Sequence, residues 1–200
     1  MTVRRRTLPR RPSTGRQERG DRTRDLLIDE TVQCIREEGF SAASARHIIE
    51  RAGVSWGVIQ HHFGDRDGLL TAVIEDAMDR LTASLEVLSD SAQATDTEDL
   101  VRAAWEAFAN PKAMAGLEIL ISTKQLRAGL DKQHMERLGT ALTNLMARVN
   151  TSTNGEHAVA LGMLLWTAPV ALMLAEMFAT SPLATRDAQK AIADLIDHHR

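Results

Sequence analysis

An all-α fold follows from three observations on the sequence. No stretch alternates β-branched and polar residues for long enough to make a sheet strand. Ala, Leu, Glu, Arg and Met dominate between the breaks, and apolar residues inside the segments recur at helical spacing. The breaks fall at Gly39, Gly53, Gly64, Ser89 to Thr97, Asn110-Pro111, Asn150 to Gly155 and Ser181-Pro182, so the early segments are short and the later ones long. This predicts a flexible arginine-rich tail over 1–22, a compact three-helix head over 23–65 and a larger helical body over 66–200.

The 200 residues are 44% hydrophobic and 26% charged, enough to bury a core and to exclude overall disorder. A formal net charge of -3 conceals an asymmetry: residues 1–24 hold nine Arg against Glu18 and Asp21, a net of +7, leaving -10 for the remainder. The tail should attract polyanions. Pro9 to Ser13 follow its first arginines where an export signal would need an apolar run, so no secretion is expected. The single cysteine, Cys34, cannot close an internal disulfide and reads as core packing in a reducing, cytoplasmic protein. No metal or cofactor site is expected.

In the head, Thr23 to Glu38 sets Ile28, Val32 and Ile35 on one stripe, with Phe40 beyond the Gly39 stop closing over them. Ser44 can cap a short helix with Ile48 and Ala52 inward, and Gly53 follows where a left-handed helix end is wanted. Ser55 can cap a third helix, Trp56 to Phe63, in which Ile59 and Phe63 form a buried i, i+4 pair. Trp56, Val58, Gln60, His61 and His62 are left over. Two short helices around Ala52-Gly53-Val54-Ser55 match a helix-turn-helix, whose second helix enters the DNA major groove. Gly57, inside that helix, weakens it by about 1 kcal/mol relative to Ala. Two explanations are open: close approach of DNA, or tight packing of helix on helix.

Thr23 to Leu70 resembles the N-terminal DNA-binding domain of the tetracycline-repressor (TetR) family. The resemblance rests on Gly39-Phe40, Ser44, Arg46, Ile48, Ala52-Gly53-Val54-Ser55, Gly57, Ile59, His62 to Asp67 and Leu69-Leu70. It implies an all-α chain, a homodimer, an operator of double-stranded DNA and a body that binds a small molecule. Carried over by position, it implies that Arg46, Trp56, Gly57, Val58, Gln60 and His61 face the major groove, with Ser44, His62 and Arg66 at the phosphates and Ser55 among the DNA-binding residues. The residue chemistry agrees: Arg46 can fork onto guanine, Gln60 can pair with adenine and Val58 can touch a thymine methyl. Gln60 stands where the family usually has Tyr, so it can hold a phosphate or read a base. His61 and His62 are adjacent, diverge by about 100° on a helix and have no third ligand at i+4, which argues against a metal there.

In the body, helices are expected from Arg66 to Leu88, Leu100 to Asn110, Pro111 to Leu126, Asp131 to Asn150, Ala158 to Phe178 and Arg186 to His198. Ala158 to Ala175 carries no charge and is long enough to span a membrane. Acidic Glu156 and Glu176 flank it in place of Lys or Arg, which favours a helix buried between two subunits, paired with the last helix in a four-helix bundle. Met78, Trp105, Phe108, Met114, Leu117, Ile121, Met146, Met163 and Trp166 are the candidate lining of an effector pocket, the unbranched thioethers suiting irregular apolar shapes. The expected function is a ligand-responsive transcriptional repressor that binds a palindromic operator as a dimer and is released by a small, largely apolar effector. A sequence-nonspecific DNA binder driven by the tail is the alternative. An all-α enzyme finds no nucleophile, base or metal set in the body, so no catalytic residue is assigned.

Overall fold

The computed structural model describes residues 14–90, 96–123, 126, 130, 132–150, 158–176, 179–181 and 183–199. Among them are nine α-helices, one short 3-10 turn and no strand. The head consists of α1 (Thr14–Glu38), the 3-10 turn Phe40–Ala42, α2 (Ala45–Ala52) and α3 (Trp56–Phe63). The body continues with α4 (Arg66–Asp90), α5 (Thr97–Phe108), α6 (Pro111–Ser122), α7 (Lys132–Asn150), α8 (Ala158–Glu176) and α9 (Thr185–His198).

The first helix corrects the expected tail. It starts at Thr14, nine residues before the predicted Thr23, so residues 14–22 are helical; residues 1–13 lie outside the described residues. Glu18, Arg19 and Arg22 are good helix formers with Glu18 and Arg22 at i, i+4, and their charge does not oppose a helix that stays in water. The Thr23 hydroxyl donates back to the Arg19 carbonyl at 2.8 Å.

Local signals explain the other boundaries. Ser44 accepts a hydrogen bond from the His47 amide at 3.2 Å, and Gly53 ends α2 in the left-handed region at φ 65°. Asp65 Oδ1 accepts from the Gly68 amide at 2.8 Å at the start of α4. The chain doubles back so tightly there that a Cβ on Gly68 would lie 2.0 Å from the Phe63 carbonyl oxygen. Asn110 caps α6 ahead of Pro111, and Asp96 caps α5. The sixth helix ends at Ser122 instead of Leu126.

Two apolar clusters hold the chain. One joins Leu27, Ile28, Ile35, Ile48 and Ile59 of the head to Leu69, Leu70 and Ile74 of α4 and to Ala115 and Ile119 of α6. The other joins Leu85, Leu100, Phe108, Leu145, Leu161, Leu165 and Ile196. The expected division at residue 66 therefore separates helices but not cores. Two polar ties follow the same path. Glu118 of α6 accepts from the Phe40 amide at 2.7 Å, and Lys112 at the start of α6 pairs with Asp29 of α1 at 2.6 Å and Asp76 of α4 at 2.8 Å.

Helix α8 has the length and apolar composition to cross a membrane. It runs on through Pro169, with Leu161, Leu165 and Met173 buried, while Val159 and Met163 stay 59% and 42% exposed. Helix α9 buries Ala193 and Ile196, leaves Leu195 exposed, and ties to α5 through the Thr97 hydroxyl and Asp197, 2.5 Å apart. Val159 and Met163 of α8 and Leu195 of α9 are exposed apolar side chains that no other described residue covers.

Candidate nucleic-acid interface

Helix α3 divides cleanly around its axis. At 100° per residue, Trp56, Gln60, Gly57 and His61 occupy an arc of about 140°. All four are exposed, whereas Ile59 is fully buried and Val58, His62 and Phe63 fill the inward side. Two of the expected contacts lie off this arc. Val58 packs against the head core and is not on the face that carries Gln60. His62 is half-buried, with its ring 3.8 Å from where a Cβ on Gly20 would stand, so the N-terminal extension of α1 runs beside α3.

Gly57 decides between its two explanations. A Cβ there would meet nothing nearer than Ser55 Oγ at 3.8 Å, so among the described residues no helix packs on it. The glycine leaves a shallow notch between Trp56 and His61 that faces outward, where the backbone of α3 can be approached closely by an external surface.

The remaining predicted contacts surround this arc. Ser55 occupies the N-cap position but its side chain makes no cap hydrogen bond, contrary to the expected capping role, so its exposed hydroxyl is available outward. Ser44 spends an acceptor lone pair on His47 and keeps a donor. Arg46 is 89% exposed and pairs with Glu50 at 2.9 Å, a carboxylate that raises its already high pKa and that DNA would have to displace. Arg66 has a different immediate task. Its Nε donates to the Ala43 carbonyl at 2.7 Å and its guanidinium lies 5.2 Å from the Phe40 ring centroid. It braces the turn before α2, and its Nη1, 3.8 Å from Asp67 Oδ1, is the part a phosphate would have to share with that carboxylate.

The body contains an apolar cavity of about 140 Å³ between α4, α5, α6, α7 and α8. Of the nine residues expected to line a pocket, Met78, Phe108 and Leu117 do so; Ile74, Ala77, Leu81, Ala113, Gly116, Leu120, Leu138, Val170 and Met173 complete the wall. The other six do not line this cavity. Helices α7 and α8 are antiparallel neighbours, and Gly162 touches the Met146 backbone, with a Cβ on Gly162 falling 3.0 Å from the Met146 carbonyl. Met146 and Met163 therefore sit at that level and Trp166 one turn beyond it, while the cavity lies near Leu138 and Val170, about 12 Å away along α7. Trp105 is buried elsewhere, Met114 and Trp166 pack on the second cluster, and Ile121 and Met163 face outward. The lining missed by sequence includes Gly116, whose Cβ would fall 2.8 Å from that of Ala77, and this close seam of α4 on α6 is what makes those helices share a wall.

Residues 27–73 match the family model for bacterial regulatory proteins of the tetR family. This N-terminal segment is similar to the DNA-binding domain of the TetR family. The matched TetR segment covers α1 from Leu27 through the first turns of α4, the same stretch that carries the outward arc. Over 58 residues the chain is 45% identical to the HTH-type transcriptional regulator BetI of Escherichia coli K12, covering 29% of this chain and 30% of that protein. The chain thus matches under a third of the length of the curated relatives. The likeness to solved structures is broader and of fold only. A transcriptional regulator from Aquifex aeolicus VF5 has a TM-score of 0.64 at 17% identity, over 88% of this chain and 98% of that one. The multidrug binding protein EbrR, complexed with imidazole, has a TM-score of 0.54 at 18% identity, over 88% and 93%.

Proposed function

We propose that the protein is a cytoplasmic, ligand-responsive transcriptional regulator, a repressor that binds a palindromic DNA operator as a homodimer and is released by a small, largely apolar effector. The observation that carries the DNA reading is the outward arc of α3, with Trp56, Gln60 and His61 set around an unfilled notch at Gly57. A helix presented in this way fits the major groove, where Gln60 can bond adenine and Arg46 guanine. The hydroxyls of Ser44 and Ser55 and the guanidinium of Arg66 lie around it for phosphates.

The apolar outer surface of α8 and α9 supports a dimer. Val159, Met163 and Leu195 are exposed on helices that each pack one side into a core, and pairing them with a second copy would form a four-helix interface. Two heads held this way meet half-sites about 34–36 Å apart, or multiples of that.

The cavity supports the effector class. Its lining holds no charged residue, and 140 Å³ is the size that accepts a benzene-like molecule. EbrR, with its imidazole, is a precedent for a ligand of that size in this fold. The test is a gel shift on genomic fragments at moderate salt, repeated with small aromatic and aliphatic compounds. Retention of a specific fragment, lost on adding a compound of this class, is the expected result. Retention of every fragment alike, abolished by modest salt, would leave the alternative of a nonspecific binder.

A further inference from the structure

We propose that Cys34, Glu38 and His47 form a binding site for one divalent transition-metal ion of borderline softness, zinc or cobalt, at the junction of α1 and α2. Cys34 and Glu38 are one turn apart on α1, and α2 crosses there so that the His47 imidazole meets the Glu38 carboxylate, Nε2 standing 2.9 Å from Oε2. One ligand atom from each of the three residues lies within 4.8 Å of the other two. Tetrahedral zinc with bonds of about 2.0–2.3 Å needs such atoms roughly 3.4–3.6 Å apart, a difference that side-chain rotation can make up. Thiolate, imidazole and carboxylate together are the donor set for zinc, whereas magnesium or calcium would want oxygen alone.

The surroundings favour a cation. Glu30, Glu37 and Glu38 gather around Arg51, at 2.6, 2.8 and 2.5 Å, and outnumber Arg51 and the neighbouring Arg36. Turning Glu38 toward a metal does not strand Arg51, because Glu30 and Glu37 keep hold of it. Cys34 is fully buried, while His47 and Glu38 are each about a third exposed, so an ion can enter from solvent on the carboxylate side and reach the sulfur beneath. Burial, and then Glu38, push the Cys34 thiol up, so without metal it stays protonated. Coordination forms the metal–sulfur bond and releases that proton to solvent. The ion would cross-link α1 to α2, the helix that sets the position of α3.

The test is a titration of reduced, tag-free full-length protein with cobalt(II). One equivalent should give the near-ultraviolet charge-transfer band of a cobalt–thiolate bond, and Cys34→Ser should abolish it, which separates this site from the His61-His62 and His198-His199 pairs. His47→Gln, on a partly exposed side chain, should keep the fold by circular dichroism yet weaken cobalt binding roughly tenfold or more, one of three protein ligands being lost. Zinc should raise the melting temperature of the wild type but not of His47→Gln. The absence of the band in the wild type, its survival in Cys34→Ser, or unchanged affinity in His47→Gln would each overturn the proposal. Should Cys34→Ser not fold, His47→Gln decides.

Discussion

Replacing Gly57 by Ala should make the protein more stable and a worse DNA binder. The new methyl would stand in ordinary contact with Ser55 Oγ at 3.8 Å and touch nothing else, so the folded chain bears no clash. Helix propensity and the smaller entropy of the unfolded chain then favour Ala by up to about 1 kcal/mol, less because position 57 lies in the first turn of α3. For a chain of this length that is a rise of about 2–4 °C in Tm at most. On DNA the same methyl fills the notch between Trp56 and His61. Losing a close backbone approach of this kind costs about 1–3 kcal/mol, or roughly 5- to 150-fold in Kd. Calorimetry of the free protein and fluorescence anisotropy on a retained genomic fragment read the two effects separately. A lower Tm would mean that something in the folded protein occupies the space beside Gly57. Unchanged affinity would mean that the α3 backbone does not approach the duplex there, and either result refutes the reasoning.

Three further expectations come from the same geometry. Gly68→Ala should destabilise by about 3 kcal/mol or more, seen as a large drop in Tm, because its Cβ would lie 2.0 Å from the Phe63 carbonyl oxygen and neither backbone can yield. Leu117→Phe should intrude into the 140 Å³ cavity, preserving operator binding in a gel shift while weakening release by compounds that act on the wild type. Acid should weaken the Lys112 cluster. Burial pushes the Asp76 carboxyl up, but hydrogen bonds from Lys112 and Arg80 outweigh it and hold it below its usual range, so its contribution is present above the ordinary carboxylate pKa and is lost as pH falls through the lowered one. Lys112→Met should cost about 1–2 kcal/mol at pH 7 and flatten the stability loss below about pH 4, measured by urea unfolding across pH.

The sequence made the short-range features legible and left the long-range ones obscure. Ser44, Gly53 and Ile59 declare themselves within one helical turn, and the arc of Trp56, Gly57, Gln60 and His61 is written in the 3.6-residue repeat. Val58 and His62 lie off that arc because their facing depends on where α1 and α4 cover α3, which no local pattern records. The tail boundary was missed because a charged, apolar-poor segment reads as loop although Glu and Arg sustain a helix in water. The cavity was found only in part for a related reason. Periodicity gives the face of a helix, but the level at which a gap opens depends on the axial offset of α7 against α8, fixed by the Gly162–Met146 contact. His47 and Cys34 are thirteen positions apart, and only the crossing of two helices makes them neighbours.

The shared core of head and body bears on how this protein could be taken apart. Ala115 and Ile119 complete the apolar cluster of the head, and Phe40 satisfies its amide on Glu118, a residue 78 positions away. A fragment cut at residue 66 would expose the underside of Ile48 and Ile59 and leave that amide in water. Recombining this reading head with a foreign sensor therefore requires transplanting the surface of α6 as well, and a chimera that exchanges the first 65 residues alone should lose its single cooperative melting transition before it loses any base contact.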